Sequence, residues 1–291
     1  MRLVSYRTDG DERLGVALAE RVVAATDLDE RAPRTMSELL VAEGAAIDRL
    51  RAALARTLVS RTAGTPIDEL ELLAPVPRPG KVVAVALNYR EHASEGGSDA
   101  PPAPVLFAKF STSVVGHGAE IAWDPGLTDA VDYEAELGVV IGRTARNVPE
   151  SAALDHVLGY TCLDDVSARD LQFADKQFVR AKSLDTFCPM GPTLVTADEV
   201  PDPQVLRLRC LVNDEVRQDA STADMIHGVA ALVAFCSNAF TLEPGDVIAT
   251  GTPSGVGWYQ EPKRLLHDGD EVVVEIDGVG RLVNRCREIG P

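Results

Sequence analysis

The apolar positions of this chain change period along its length, and the changes divide it into elements. Alternating runs predict short strands at Arg2 to Tyr6, Leu14 to Ala19 and Arg21 to Ala25. From Thr35 to Arg56 the spacing of Leu39, Leu40, Ile47, Leu50 and Leu54 is near that of a helix. The run Ala74-Pro-Val-Pro-Arg-Pro-Gly80 breaks regular structure and is taken as a boundary, leaving residues 1–74 as a small N-terminal α/β accessory domain and 75–291 as the main one. Beyond it strand patterns dominate: Val82 to Leu87, Val105 to Phe110, Leu137 to Ile141, Val205 to Val212, Val247 to Thr250 and Glu271 to Ile276. Turns at Asn213-Asp214, Pro244-Gly245-Asp246 and Asp277-Gly278 punctuate them. One further helix is predicted from Thr222 to Phe240, with Met225, Val229, Leu232, Cys236 and Phe240 three or four apart. Many strands and few helices predict an α+β, mostly β fold, a mixed β-sandwich or roll rather than a wound parallel sheet.

One alternating stretch carries chemistry. Residues 132 to 142 read Asp-Tyr-Glu-Ala-Glu-Leu-Gly-Val-Val-Ile-Gly. In an extended chain Asp132, Glu134 and Glu136 point to one face and Tyr133, Ala135, Leu137, Val139 and Ile141 to the other. Three like charges on one face repel unless a cation sits among them, and oxygen donors suit Mg²⁺, Mn²⁺ or Ca²⁺ rather than zinc. The plainer reading is the solvated face of an antiparallel strand. A second acidic cluster in Gly159-Tyr-Thr-Cys-Leu-Asp-Asp-Val-Ser-Ala-Arg-Asp170 supplies a further carboxylate source for the same ion.

Composition narrows the function classes. The 291 residues are 45% hydrophobic and 25% charged, enough for a substantial core. A formal charge of −17 argues against nucleic acid and anionic membrane surfaces as partners. The N-terminal stretch has no apolar signal core and no run approaches the roughly 20 apolar residues of a membrane span, which predicts a cytoplasmic protein. Cys162, Cys188, Cys210, Cys236 and Cys286 are far apart, without Cys-x-x-Cys spacing, and read as reduced core residues.

Five motifs in order then carry a resemblance from about Lys81 to Cys286. They are Leu-Asn-Tyr-Arg-Glu-His-Ala-Ser-Glu (87–95), Asp-Tyr-Glu-Ala-Glu-Leu (132–137), Asp-Asp-Val-Ser-Ala-Arg-Asp-Leu-Gln (164–172), Ala-Lys-Ser-Leu-Asp-Thr-Phe (181–187) and Leu-Glu-Pro-Gly-Asp-Val-Ile-Ala-Thr-Gly-Thr-Pro-Ser-Gly-Val-Gly (242–257). The chain resembles the fumarylacetoacetate hydrolase superfamily. The resemblance implies that Glu134, Glu136 and Asp165 hold Mg²⁺ or Mn²⁺, with Asp132 close by or solvated. It implies that Lys182 and Gln172 line the site, that Thr252 binds a substrate oxygen, that His92 and Glu95 are catalytic, and that the chain forms a homodimer. At i, i+3 on a helical turn His92 and Glu95 would touch, and a carboxylate beside an imidazole raises its basicity and orients it as a general base. Standing alone, His-x-x-Glu reads as a surface pair and Lys182, near Arg180, as part of a solvated basic stretch. Three positions depart from the family pattern: Lys109-Phe110 where many relatives have Lys-Pro, His117 where relatives often have Pro, and Asp164 where they commonly carry Asn.

The expected activity is metal-dependent hydrolysis of a C–C bond in an acylpyruvate-like 2,4-dioxo acid, of the fumarylpyruvate or fumarylacetoacetate type. The ion would chelate the 1-carboxylate and 2-oxo oxygen, His92 would activate water, and Lys182 and Gln172 would stabilise the oxyanion. The alternative on the same site is oxaloacetate decarboxylation or isomerisation of 2-hydroxyhepta-2,4-diene-1,7-dioate. A binding protein with a purely structural ion is a third reading. It predicts that Glu136→Gln lowers stability without removing turnover.

Overall fold

The computed structural model describes residues 1–42, 44–56 and 64–290. Its backbone is a twelve-stranded sheet whose main path runs Thr65–Pro66, Arg21–Ala24, Asp11–Leu18, Arg2–Thr8, Cys188–Thr196, Val157–Asp164, Ala135–Ile141, Val247–Ala249, Val82–Ala86, Val105–Lys109. A five-stranded sheet, in the order Glu215–Ser221, Arg207–Val212, Glu271–Ile276, Gly280–Glu288, Glu120–Trp123, packs against it. Val131–Asp132 and Ser167–Ala168 form a separate two-stranded ribbon. The mostly β, mixed α/β class expected from the pattern is the one adopted.

The central strands are buried on both faces. Along Ala135–Ile141 the odd residues Ala135, Leu137, Val139 and Ile141 join a core shared with the five-stranded sheet and the Val229–Ala239 helix, whereas Val140 joins a second core lined by Leu39, Ile47 and Leu50 of the N-terminal helices. Val83 and Val85 against Val82 and Ala84, and Ile248 against Val247 and Ala249, divide in the same way. Period two therefore sorts side chains between two apolar layers here, not between core and water.

The strands before position 74 extend the same sheet. Leu3 pairs with Leu194, and Met1, Leu3, Leu14 and Val16 share the second core with Met190 and Leu194. Residues 74 to 80 carry no strand or helix, as their prolines dictate.

Two helices differ from expectation. The 35–56 segment is two helices, Met36–Val41 and Gly44–Arg56; Thr35 caps the first by accepting the Glu38 N–H, and Glu43 between them lies outside the described residues. The 222–240 segment begins as a 3₁₀ turn at Thr222–Asp224, and the α-helix runs only from Val229 to Ala239. The cause is Asn88, which takes the backbone N–H groups of Ile226 and His227, so helical pairing starts after Gly228. All five cysteines are buried free thiols. Among the described residues no helix is long and apolar enough to cross a membrane.

Candidate metal and acid–base site

Three carboxylates meet where a strand pair ends. Ala135 pairs with Asp164 and Glu136 with Leu163, so the start of one strand lies beside the finish of the other. Glu134 and Asp165 sit just outside this pairing and are locked by the Asp165 N–H to Glu134 carbonyl bond (2.9 Å) and by the Glu134 N–H, which Asp164 Oδ1 accepts (2.9 Å). Glu134, Glu136 and Asp165 thereby offer one oxygen each, all within 4.8 Å of one another. None is more than 5% exposed, which rules out the solvated-face reading.

Buried cations surround this group. Lys182 Nζ lies 2.6 Å from Glu134 Oε2 and 2.9 Å from Asp165 Oδ2, and Lys109 Nζ lies 2.5 Å from Asp165 Oδ1. Arg169 bridges Glu134 (2.7 Å) and Asp132 (2.8 Å). Burial alone would raise the Glu134 carboxyl, but the Lys182 and Arg169 charges outweigh it and hold the group down at about 2. Burial lowers Lys182 as well, yet Asp165 and Glu134 outweigh it and keep the ammonium charged. Glu136 has the opposite fate. It has no cation within ion-pair distance among the described residues, and burial, then Asp165 and Glu134, push its carboxyl well above the usual carboxylate range.

Glu136 does accept one backbone donor, the Gly251 N–H at 2.8 Å. That approach requires glycine: φ is +95° at Gly251, and a Cβ there would stand 2.7 Å from Asn88 Cβ and 2.9 Å from the Val85 carbonyl.

His92 and Glu95 lie on the short helix Arg90–Glu95, with Nδ1 of the imidazole 2.8 Å from Glu95 Oε1. A carboxylate only accepts, so in the neutral ring Nδ1 carries the proton and Nε2 keeps a lone pair. Glu95 is itself fixed by the Gly255 N–H (3.0 Å). The turn into this helix depends on Asn88, fully buried, whose amide donates to the Thr250 (2.7 Å) and His227 (3.0 Å) carbonyls while its Oδ1 accepts the His227 N–H. Leu87 beside it is held at φ +55°, a strained value for a branched side chain.

A cavity of about 240 Å³ brings these groups together: His92, Glu134, Arg169, Gln172, Lys182, Thr252 and Tyr259 are on its wall. Gln172 Oε1 accepts from Arg169 (3.0 Å), leaving its amide N–H groups for a ligand. Thr252 donates to the Ala135 carbonyl (2.9 Å) and accepts from Gln218 (2.8 Å), so its only proton is engaged. Asp132 is fully buried and is not one of the three clustered ligands; besides Arg169, which it shares with Glu134, it accepts the N–H groups of Gly257 (2.8 Å) and Trp258 (3.0 Å), tying the segment that bears Tyr259 to the site. Asp164 keeps Oδ2 buried without a partner, and burial, then the charge of Asp165, pushes its carboxyl up to about 7.

Two of these residues had no role in the sequence reading. Arg169 stands in the Ser-Ala-Arg-Asp turn quoted above, and Lys109 is the lone charge closing the run Val105–Lys109. A lysine at the end of an otherwise apolar strand was the available signal.

Hard oxygen donors in a buried trio, one of them with no ion-pair partner among the described residues, fit Mg²⁺, Mn²⁺ or Ca²⁺. A family model described as fumarylacetoacetate (FAA) hydrolase C-terminal matches residues 81–287. Oxaloacetate tautomerase YisK of Bacillus subtilis is 45% identical over 222 residues, 75% of this chain and 74% of its own. The human mitochondrial oxaloacetate tautomerase FAHD2A is 40% identical over 98% of this chain and 91% of its own. A crystal structure of maleylpyruvate hydrolase from Sphingobium sp. SYK-6 with manganese(II) and pyruvate is 32% identical, covers 99% of both chains and superposes with a TM-score of 0.80.

Proposed function

Because the chain belongs to the fumarylacetoacetate hydrolase family, whose members act as metal-dependent enzymes on 2-oxo acids, we propose that it interconverts the enol and keto forms of a compact 2-oxo dicarboxylate of the oxaloacetate class. The observation that carries this reading is His92, held by Glu95, on the wall of a cavity of only about 240 Å³ that also exposes Glu134, Lys182 and Arg169 of the buried acid–cation cluster. Typical ligand pockets run from roughly 300 to 1,000 Å³, so this one suits a short acid better than a long acyl chain.

A divalent ion, Mg²⁺ or Mn²⁺, held by Glu134, Glu136 and Asp165 would polarise the 2-oxo group and lower the cost of enolate charge. His92 Nε2 takes a proton from C3 of the keto acid and returns it to the oxygen on C2, giving the enol; the reverse uses the same atoms. Glu95 holds the imidazole in the tautomer this needs. Arg169 Nη2, buried without a partner, and the Gln172 amide bind the second carboxylate, the one carried on C3. Tyr259 and Phe173 restrict water at the mouth. The reading includes the cytoplasmic setting and the homodimer expected from the sequence.

Hydrolysis of a C–C bond is the second reading, supported by the likeness to maleylpyruvate hydrolase. His92 would then deprotonate water, and pyruvate and the matching acid would appear in equal amounts.

The test follows the ultraviolet absorbance of enol-oxaloacetate with metal-stripped protein, before and after Mg²⁺ or Mn²⁺, alongside pyruvate release from a simple acylpyruvate. Metal-dependent loss of enol, reduced roughly 10²–10⁴-fold in His92→Ala, is the expected result. No acceleration over buffer by the metal-loaded protein overturns it, and stoichiometric pyruvate release would replace it with the second reading.

A further inference from the structure

Ionisable groups of both signs are buried around Glu134, Glu136 and Asp165. Asp132, Glu134, Glu136 and Asp165 are at most 5% exposed, and Lys109, Lys182 and Arg169 at most 3%. Four of the six oxygens on the three candidate ligands already face a cation: both of Asp165, toward Lys109 and Lys182, and both of Glu134, toward Lys182 and Arg169. The protein's own cations therefore already occupy most of the oxygens an ion would need, and a divalent ion must share oxygens with an ammonium at 2.6 and 2.9 Å. A carboxylate substrate supplies the negative charge that this crowding of cations lacks. Net charge held away from water is costly wherever no partner offsets it.

We propose that the divalent ion and a carboxylate substrate load this site as a thermodynamically coupled pair, each tightening the other, with Lys182 setting the strength of the coupling. The reason is geometric. Lys182 is the cation that touches two of the three ligands, so it resists the ion when the cavity is empty and turns toward the substrate anion when both arrive. Coupling of this kind is reciprocal, and its size falls in a range of roughly 5- to 150-fold. The inference rests on reading the cavity as a 2-oxo dicarboxylate site.

Equilibrium dialysis of the full-length, metal-stripped protein against Mn²⁺, alone and with oxalate, tests it without reference to turnover. Oxalate is a dianion that presents the same pair of oxygens and does not react. The dissociation constant for Mn²⁺ should fall roughly tenfold or more with oxalate present. Free oxalate chelates Mn²⁺ in solution, which opposes the expected change, so a tightening belongs to the protein. In Lys182→Met, Mn²⁺ alone should bind more tightly than in the wild type and oxalate should add less. Mn²⁺ affinity unmoved by oxalate, while oxalate binds the Mn²⁺-loaded protein, overturns the coupling and leaves the substrate reading standing. Failure of oxalate to bind the Mn²⁺-loaded protein overturns both. A Lys182→Met variant that folds, by its melting transition, but shows wild-type Mn²⁺ affinity and coupling removes Lys182 from the account.

Discussion

Replacing Glu136 by Gln should stabilise the metal-free protein. The three ligand oxygens lie within 4.8 Å of one another. At an effective dielectric constant near 20, two unit charges at that separation repel by about 3.5 kcal/mol, a cost that Glu136 bears when ionised or sheds by taking up a proton, as its raised carboxyl indicates, so the repulsion bounds the relief from above. Glu136 faces both Asp165 and Glu134, and no cation pairs with it directly. Against this relief stand the lost attraction of Lys182 and the weakening of the Gly251 N–H bond from a charge-assisted to a neutral one, about 1 kcal/mol. The net is a gain of about 1–3 kcal/mol, worth roughly 2–12 °C at the 2–4 °C per kcal/mol of domains of 150–250 residues. Calorimetry of metal-stripped wild type and variant reads it directly. Adding Mn²⁺ to 100 times its dissociation constant should raise wild-type stability by about 2.7 kcal/mol and leave Glu136→Gln nearly unmoved. A variant that melts at or below the wild type without metal refutes the reasoning. If it also kept full turnover, the ion would be structural and the metal-assisted account of the reaction would fail.

Lys109→Met removes a cation from a buried pair, at a cost of roughly 3–5 kcal/mol less what Lys182 still supplies to Asp165; the melting temperature should drop and Mn²⁺ should recover part of it, and an unchanged melt would contradict the pairing. Glu95→Gln should lower kcat while leaving KM near the wild-type value, since the imidazole loses its charged support but the cavity keeps its shape. A comparable rise in KM would count against the assignment. His117 is pushed below 6.5 by burial, then by the charge of Arg281, and its Nδ1 accepts the Val283 N–H, which requires the neutral ring. The unfolded chain therefore binds the proton more readily, so His117 makes stability rise with pH up to about 6.5 and adds no slope above it. His117→Asn should flatten the stability profile on the acid side of 6.5, measured by denaturant melts at several pH values.

What the sequence disclosed was local. Carboxylates two residues apart and a His-Glu pair three apart carry their geometry in their spacing, because strand and helix periods decide which side chains meet. The burial of Glu136 was not legible: alternation separates two faces but does not say that both are covered, here by the five-stranded sheet and by the helices around Leu39 and Leu50. Lys109 meets Asp165 across 56 positions and Arg169 meets Asp132 across 37, and nothing in either neighbourhood encodes such pairings. Asn88 was invisible for a related reason. Its side chain stops a distant helix from starting early, a tertiary effect that overrides the apolar spacing from Met225 onward.

A sheet apolar on both sides leaves the acids only the strand ends through which to meet a ligand. Every alteration of the strands themselves disturbs packing, whereas Phe173, Phe178 and Tyr259 at the cavity mouth rest on loops and short helices outside those layers. New substrate ranges are therefore reached most cheaply by exchanging rim aromatics over an unchanged electrostatic floor, consistent with one scaffold serving relatives named as tautomerases and as hydrolases. A variant library confined to those three rim positions is the shortest route to redirecting this catalyst.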